Sequence, residues 1–250
     1  MNDKFFENRL IELSDSSDKN YMFNFTNFLN MDEISTLIEM KNKGLLTYYE
    51  LFGGYDNAER CIARFANPED LGWSEDYPIV ILKITPLSKK FAEDLSHRDF
   101  LGCLMNLGIK REVIGDIMIH EKEAILFCLS NMTNHICENL SKIKHTNVKV
   151  TIIEELPSEF SMNFTECTDI ISSERLDAIV AKFAKLSRTQ ALSLISSRKI
   201  YVNGKAIESN SYKIKKDDII SVRGYGKLIY RGVISETKKD RLRILYERYS

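Results

Sequence analysis

The residues best suited to chemistry in this sequence are cations at the predicted start of a helix, where they would bind phosphate. Ser187 is typical of an N-cap, and Arg188 and Thr189 follow it in the first turn of the predicted helix. Free backbone N–H groups and the helix dipole favour an anion at this position, and the Arg188 guanidinium adds a bidentate donor. The sequence therefore predicts a phosphate-binding site at this helix start.

A glycine turn further along the chain combines an aromatic residue with two cations. In the segment RGYGK, Tyr225 lies between Arg223 and Lys227. Such a turn allows a base to stack on the aromatic ring while the cations contact phosphates. This combination predicts a nucleic acid as the ligand.

Both groups of cations lie in a strongly basic C-terminal segment. Residues 172–250 hold 18 Lys and Arg against 8 Asp and Glu, whereas residues 1–171 hold 17 against 28. Basic residues concentrated in one segment indicate a polyanion such as RNA as the partner. One lysine or arginine by itself is most often a solvated surface charge, so the prediction depends on the whole cluster.

The composition limits the class of protein. With 250 residues, 44% of them hydrophobic, the chain is long enough for two small domains with their own cores. No apolar run approaches the roughly 20 residues that span a bilayer, and the polar start is unlike a secretory signal, so we expect a cytoplasmic protein without a membrane partner. The cysteines include no CxxC pair, which predicts reduced thiols, no metal and no cofactor. They are Cys61, Cys103, Cys128, Cys137 and Cys167.

Hydrophobic periodicity predicts an α+β fold. Residues 1–77 are predicted as helices ending at Gly44, followed by a loop around Gly53 and Gly54. Residues 78–156 are predicted in the order strand, helix, strand, strand, helix, strand, which is the ferredoxin-like, RRM-like βαββαβ arrangement. The predicted elements of this domain are a strand at 78–86, a helix capped by Ser96 and ended by Gly108, strands at 113–119 and 124–129, a helix from Met132 to Ile143 and a strand at 148–152.

The sequence alone leaves open whether this sheet contacts RNA or protein. RNA modules of this topology stack bases on aromatic side chains, but the third strand offers only Phe127 and the first strand offers none. The acidity of the domain argues against strong phosphate binding. The acidic N-terminal half is also suited to docking a protein partner.

The basic segment is predicted to fold as a separate small domain. Residues 157–171 predict a linker, and residues 172–250 predict the domain. Two short helices are followed by Asn203-Gly204, which is the strongest signal for a two-residue hairpin. The final stretch, residues 237–249, is predicted as a basic helix or strand.

Five motifs in this segment resemble the S4 RNA-binding domain in their order and spacing. They are Arg175-Leu176-Asp177, Ser187-Arg188, Leu194-Ile195, the segment from Val202 to Lys205, and Asp218-Ile219-Ile220. The resemblance implies two packed helices followed by a small sheet. It also implies that phosphate contacts position an RNA without reading its sequence.

The S4 resemblance implies a set of RNA-binding residues, to which the glycine turn adds three more. Where the family usually has a glycine before the first strand, this sequence has Ser196-Ser197-Arg198-Lys199, so the local turn is in question. The implied and added residues are Arg175, Ser187, Arg188, Thr189, Gln190, Arg198, Lys199, Asn203 and Lys205, with Arg223, Tyr225 and Lys227 from the turn.

Three further segments resemble the bacterial YlmH family over nearly the whole chain. They are FGGYDNAER (52–60), HRDFLGCLMNLGIKREVIGDI (97–117) and SVRGYGKL (221–228). In that family a helical and RRM-like N-terminal part precedes a C-terminal S4 domain. The resemblance implies binding to 23S rRNA and tRNA on the large ribosomal subunit, in quality control of stalled nascent chains.

Two other classes of function remain as alternatives. An RNA-modifying enzyme should show a catalytic motif, but the sequence has no GxGxxG loop between a strand and a helix. The triplet His97-Arg98-Asp99 imitates a kinase motif, although position 104 is leucine rather than asparagine, so we predict no catalytic residues. The second alternative is a protein-interaction factor linked to cell division, docking through the acidic half.

Overall fold

The computed structural model describes residues 3–160 and 164–249, which form two compact units. The N-terminal unit comprises residues 3–33 and 39–160, and the C-terminal unit comprises residues 34–38 and 164–249. The parts of the predictions that concern residues 1–2, 161–163 and 250 lie outside the described residues. Helices and antiparallel sheets occur in both parts of the chain, which confirms the α+β class.

Two helices open the chain, as predicted. The first, α1, spans Asp3–Asn20, and the second, α2, spans Met31–Asn42 and ends just before Gly44. Asn30 and Glu33 form a capping box at the start of α2. This box satisfies backbone N–H groups that a helix start leaves without intrahelical partners.

A three-stranded sheet occupies part of the region that was predicted as a loop. The strands β1 (Asn24–Phe25), β2 (Tyr49–Phe52) and β3 (Ile62–Phe65) pair in the order β1-β3-β2. The Gly53-Gly54 turn was visible in the sequence, but the pairing of Asn24 with Phe65 joins residues too far apart for a local pattern to show. A short helix, α3 (Pro68–Leu71), follows the sheet.

The next domain has the predicted ferredoxin-like topology. Its strands lie in the order β5-β6-β4-β8, with a short strand β7 at the edge, and all neighbours are antiparallel. Ile143 was predicted in the second helix but lies in β7, because the helix ends at Asn139 and the chain then turns to pair Ile143 with Thr146. The elements are β4 (Ile79–Pro86), α4 (His97–Asn106), β5 (Ile114–His120), β6 (Glu123–Leu129), α5 (Thr133–Asn139), β7 (Lys142–Ile143) and β8 (Thr146–Ile153).

Both faces of this sheet are covered within the N-terminal unit. One face forms a core with Phe100 and Leu104 of α4, and the other packs against Phe28 and Ile62. Phe127, which the sequence offered for base stacking, is fully buried, and its ring lies 5.0 Å from that of Tyr55. Base stacking on Phe127 is therefore excluded in this arrangement.

The close packing on this second face depends on Gly54. Its φ of +99° suits glycine, and a Cβ at this position would overlap the Phe127 ring. We expect Gly54→Ala to lower the free energy of unfolding of the N-terminal unit by about 2 kcal/mol, because overpacking adds to backbone strain. Urea unfolding followed by Trp73 fluorescence measures the effect. Gly102→Ala, on an open face of α4, is the control and should be neutral or slightly stabilising.

The C-terminal unit places two helices against a six-stranded sheet. The strand order is β11-β10-β12-β13-β14-β9, and residues of both helices contribute to one core with the strands. Asn203 and Gly204 have φ values of +51° and +78°, which confirms the predicted hairpin. The elements are β9 (Phe164–Ile171), α6 (Leu176–Phe183), α7 (Arg188–Ser196), β10 (Ile200–Val202), β11 (Lys205–Ala206), β12 (Ile219–Val222), β13 (Gly226–Glu236) and β14 (Leu242–Tyr249).

The predicted linker contributes a strand to this sheet. Residues 164–171 form β9, which pairs with β14 from Phe164–Tyr249 to Ile171–Leu242. The sequence left the final stretch open between helix and strand, and the structure makes it the strand β14. The linker prediction failed because the strand that pairs with β9 in the described structure is β14, near the end of the described chain. Local composition does not indicate a pairing with so distant a segment.

Candidate nucleic-acid interface

The start of α7 has the geometry predicted for a phosphate site. Ser187 and Gln190 form a capping box: the Ser187 N–H donates to Gln190 Oε1 at 2.9 Å, and the Gln190 N–H donates to Ser187 Oγ at 3.2 Å. These two side chains therefore shape the helix start. The exposed side chains of Arg188 and Thr189 follow in the same turn, where backbone N–H groups point toward solvent.

A buried carboxylate orients the two predicted arginines. Asp177 is 0% exposed, and its oxygens accept hydrogen bonds from Arg175 Nε at 3.0 Å and from Arg188 Nε at 2.8 Å. The Arg175 side chain is 37% exposed and that of Arg188 is 57% exposed, so both guanidinium groups also reach solvent. We call Arg175, Asp177 and Arg188 the Asp177 cluster.

The electrostatics of the Asp177 cluster favour the charged state of its carboxyl group. Burial alone raises the pKa of Asp177, but the hydrogen bonds from Arg188 and Arg175 outweigh burial and leave the pKa below its usual value. A charged Asp177 holds both guanidinium groups in place before any ligand arrives. Asp177 is thus a positioning residue. In the sequence it appeared only as part of the Arg175-Leu176-Asp177 motif, with no role assigned to it.

A second group of predicted residues meets where β10 begins and β12 ends. The Lys199 carbonyl accepts a hydrogen bond from the Arg223 N–H at 2.9 Å, which joins the exposed Lys199 to the exposed turn after β12. Tyr225 in this turn is 40% exposed. We call Lys199, Arg223 and Tyr225 the Lys199 cluster. Lys227 is only 8% exposed, so we leave it out of the proposed contacts.

The remaining predicted residues divide into structural and exposed ones. Asn203 donates to Asp218 Oδ1 at 2.8 Å and accepts from the Ile219 N–H at 2.9 Å, so its side chain fixes the hairpin. Arg198, within the stretch before β10 where the sequence left the local turn in question, adopts a φ of +54°, and its side chain pairs with Glu208 at 3.3 Å. Lys205 is exposed on β11. Arg198 and Lys205 thus add surface charge, whereas the exposed Asn203 uses its side-chain amide within the hairpin.

The FGGYDNAER segment holds the N-terminal unit together. The Tyr55 hydroxyl donates to Asp116 at 2.8 Å, and the Arg60 guanidinium donates to the carbonyls of Ile114 at 2.9 Å and Phe28 at 2.8 Å. These bonds satisfy partly buried polar groups that would otherwise be costly. The segment is accounted for by folding rather than by ligand binding.

The His97-Arg98-Asp99 triplet begins a helix. Asp99 accepts from the Ser96 N–H at 2.8 Å and pairs with Lys144 at 2.8 Å. The bonds from Lys144 and Ser96 lower the pKa of Asp99 to about 2. This carboxylate caps α4, which is the structural role that its position suggests.

The described residues offer neither a cluster of metal ligands nor a membrane-spanning helix. Within residues 3–160 and 164–249, no group of three His, Cys, Asp or Glu side chains is arranged to hold a metal ion. In the same ranges, no helix combines the length and the apolar character needed to cross a membrane.

Comparison with known proteins assigns both domains. The profile of a "Putative RNA-binding domain in YlmH" matches residues 73–156, and the S4 domain profile matches residues 174–220, which defines a protein with two RNA-binding domains. "Ribosome-associated protein quality control protein P2" of Bacillus subtilis (strain 168) is 29% identical over 236 residues, or 91% of this chain and 88% of that protein. The chain thus carries a match to the YlmH RNA-binding domain and a match to the S4 domain, as its motifs indicated. The structure of "Cell division protein ylmH from Streptococcus pneumoniae" is 23% identical, with a TM-score of 0.49, over 62% of this chain and 92% of that chain.

Proposed function

We propose that this chain is a non-catalytic, cytoplasmic RNA-binding protein that holds structured rRNA or tRNA through its S4 domain. The Asp177 cluster carries the proposal, because it presents two oriented guanidinium groups at the starts of α6 and α7. Helix starts and arginine side chains are both suited to phosphate. The name of the Bacillus subtilis relative supports a role in quality control at the ribosome.

The surface is suited to an RNA that is recognised by shape. Arg188 and the N–H groups of α7 would take one phosphate, while Lys199 and Lys205 would act as point charges on neighbouring ones. Tyr225 offers a ring on which an unpaired base can stack. Such contacts fix position and orientation but carry little sequence information. We therefore propose 23S rRNA of the large subunit and a bound tRNA as the ligands.

The N-terminal unit has a different role in this proposal. Because its sheet is covered on both faces, it would contact a ribosomal or nascent-chain partner through its outer surface rather than stack bases on Phe127. The acidic balance of residues 1–171 suits a basic protein surface. A protein-interaction role linked to cell division is the alternative, and it requires no RNA contact by the S4 domain.

A charge placed at the start of α7 tests the proposal. Thr189→Glu should leave the helix intact, since a carboxylate favours the N-terminal turn, but it should repel phosphate. We expect at least a tenfold weaker affinity for a labelled tRNA and a loss of co-sedimentation with large ribosomal subunits. Fluorescence anisotropy and sucrose gradients with the full-length chain measure the two effects.

The matched control is Thr189→Gln, because a glutamine side chain has nearly the same shape as a glutamate side chain but carries no charge. It should bind RNA much more tightly than the glutamate variant. If Thr189→Glu binds tRNA and co-sediments like the wild type, the S4 surface is not the ribosome contact. The protein-interaction alternative would then be preferred.

A further inference from the structure

A basic groove lies in the C-terminal unit between α6, β9 and β14. Its volume is about 600 Å³, and its lining includes five cations and one carboxylate. The cations come from separate parts of the chain, and one of them belongs to the Asp177 cluster. They are Lys182, Lys185, Arg188, Arg241 and Arg248.

The wall of the groove orients one of these cations. The Arg248 guanidinium carbon lies 4.8 Å from the centroid of the Phe183 ring, a cation–π contact that holds the side chain along the wall. The carboxylate, Asp169, accepts a hydrogen bond from the Tyr246 hydroxyl at 3.0 Å. Asp169 is thus engaged at the wall, and positive charge dominates the groove.

The groove depends on the strands that flank the S4 domain. The S4 match covers residues 174–220, whereas β9 precedes it and β14 follows it. The pairing of β14 with β9 brings Arg248 of β14, and Arg241 directly before β14, to the lining of the groove. A helical C-terminal stretch, which the sequence also allowed, would not give this arrangement.

We propose that this groove binds a stretch of RNA phosphate backbone, continuing the S4 surface through Arg188 onto the C-terminal extension. The inference rests on the proposed function and adds a second contact region to it. Arg188 lies at the start of α7 and also lines the groove, so one RNA strand can contact both regions without a break. Flexible lysines and arginines along a groove are the usual means of following a phosphate backbone.

A triple substitution in the full-length chain tests the groove. Lys182→Gln, Lys185→Gln and Arg241→Gln remove three exposed cations of the lining. With a fluorescein-labelled RNA hairpin, we expect at least a tenfold weaker affinity. The slope of log K against log salt should become shallower by about 3, because each phosphate contact contributes about 1.

The matched control removes the same charge elsewhere in the same unit. Lys213→Gln, Lys215→Gln and Lys216→Gln change three exposed lysines between β11 and β12, none of which lines the groove. This control should keep nearly the wild-type affinity and salt slope. A circular dichroism melt checks that each variant is folded, and Arg241→Gln alone carries the test if the triple variant melts early.

Four results would overturn the inference. Wild-type binding by the groove variant, with binding lost in Thr189→Glu, would limit the RNA contact to the S4 helices and leave the proposed function intact. An equal loss in the control would indicate a general effect of charge. If poly-glutamate binds the groove more tightly than the RNA hairpin does, the ligand of the groove is an acidic peptide. Wild-type binding by both Thr189→Glu and the groove variant would also overturn the proposed function.

Discussion

Replacing Arg175 and Arg188 together by alanine is expected to destabilise the C-terminal unit by about 3 kcal/mol. The fully buried Asp177 carboxylate would lose both of its arginine partners, and an unpaired buried charge is strongly destabilising. The value is at the low end of the usual range because both arginines are partly exposed to water. A double variant of these two arginines would thus affect folding as well as RNA binding.

Urea unfolding of the full-length chain measures this effect. Circular dichroism follows both units, whereas fluorescence of Trp73, the single tryptophan, reports on the N-terminal unit. Adding Asp177→Asn to the double variant should recover part of the lost stability, since it removes the unpaired charge. A double variant that unfolds at the wild-type urea concentration would contradict the structural role of the Asp177 cluster.

The affinity for a structured RNA is expected to fall at least about a thousandfold between 50 and 200 mM monovalent salt. Six exposed or partly exposed cations of the proposed surface would each neutralise about one phosphate, which gives a slope of roughly −5 in log K against log salt. The proposed groove makes the slope steeper. The six cations are Arg175, Arg188, Arg198, Lys199, Lys205 and Arg223.

Filter binding of labelled tRNA over a potassium chloride series gives this slope directly. Phosphate contacts release counterions, whereas stacking on Tyr225 depends little on salt. Removing the ring by Tyr225→Ala should therefore weaken binding without changing the slope. A wild-type slope shallower than about −2 would contradict binding through phosphates and would favour stacking or a protein contact.

In this proposal the Asp177 cluster is both a folding element and a ligand-binding element. The same guanidinium groups neutralise a buried carboxylate and reach solvent at adjoining helix starts. An RNA phosphate would therefore meet donors whose orientation is already fixed, which reduces the entropy lost on binding. Variants at exposed positions such as Thr189 separate the two roles, and variants of the arginines do not.

Local patterns in the sequence determined much of the fold. The βαββαβ order, the Ser96 helix start and the Asn203-Gly204 hairpin depend on residues close together in the chain, so periodicity, caps and turn residues were sufficient to predict them. Ile143 was misplaced because an apolar residue at helical spacing also suits a short edge strand. The β1-β3-β2 sheet and the strand β9 were missed because their partners lie far away in sequence.

The sequence by itself determined the residue types, their concentration in the C-terminal segment and the family that they resemble. Only the tertiary structure decided the place of each side chain: Asn203 fixes a hairpin, Lys227 is buried, and Arg248 lies over Phe183 beside a groove. The physical reason is that charge and local propensity belong to residues and their neighbours in the chain. Burial and hydrogen-bond partners depend on contacts between distant segments, such as the pairing of β14 with β9.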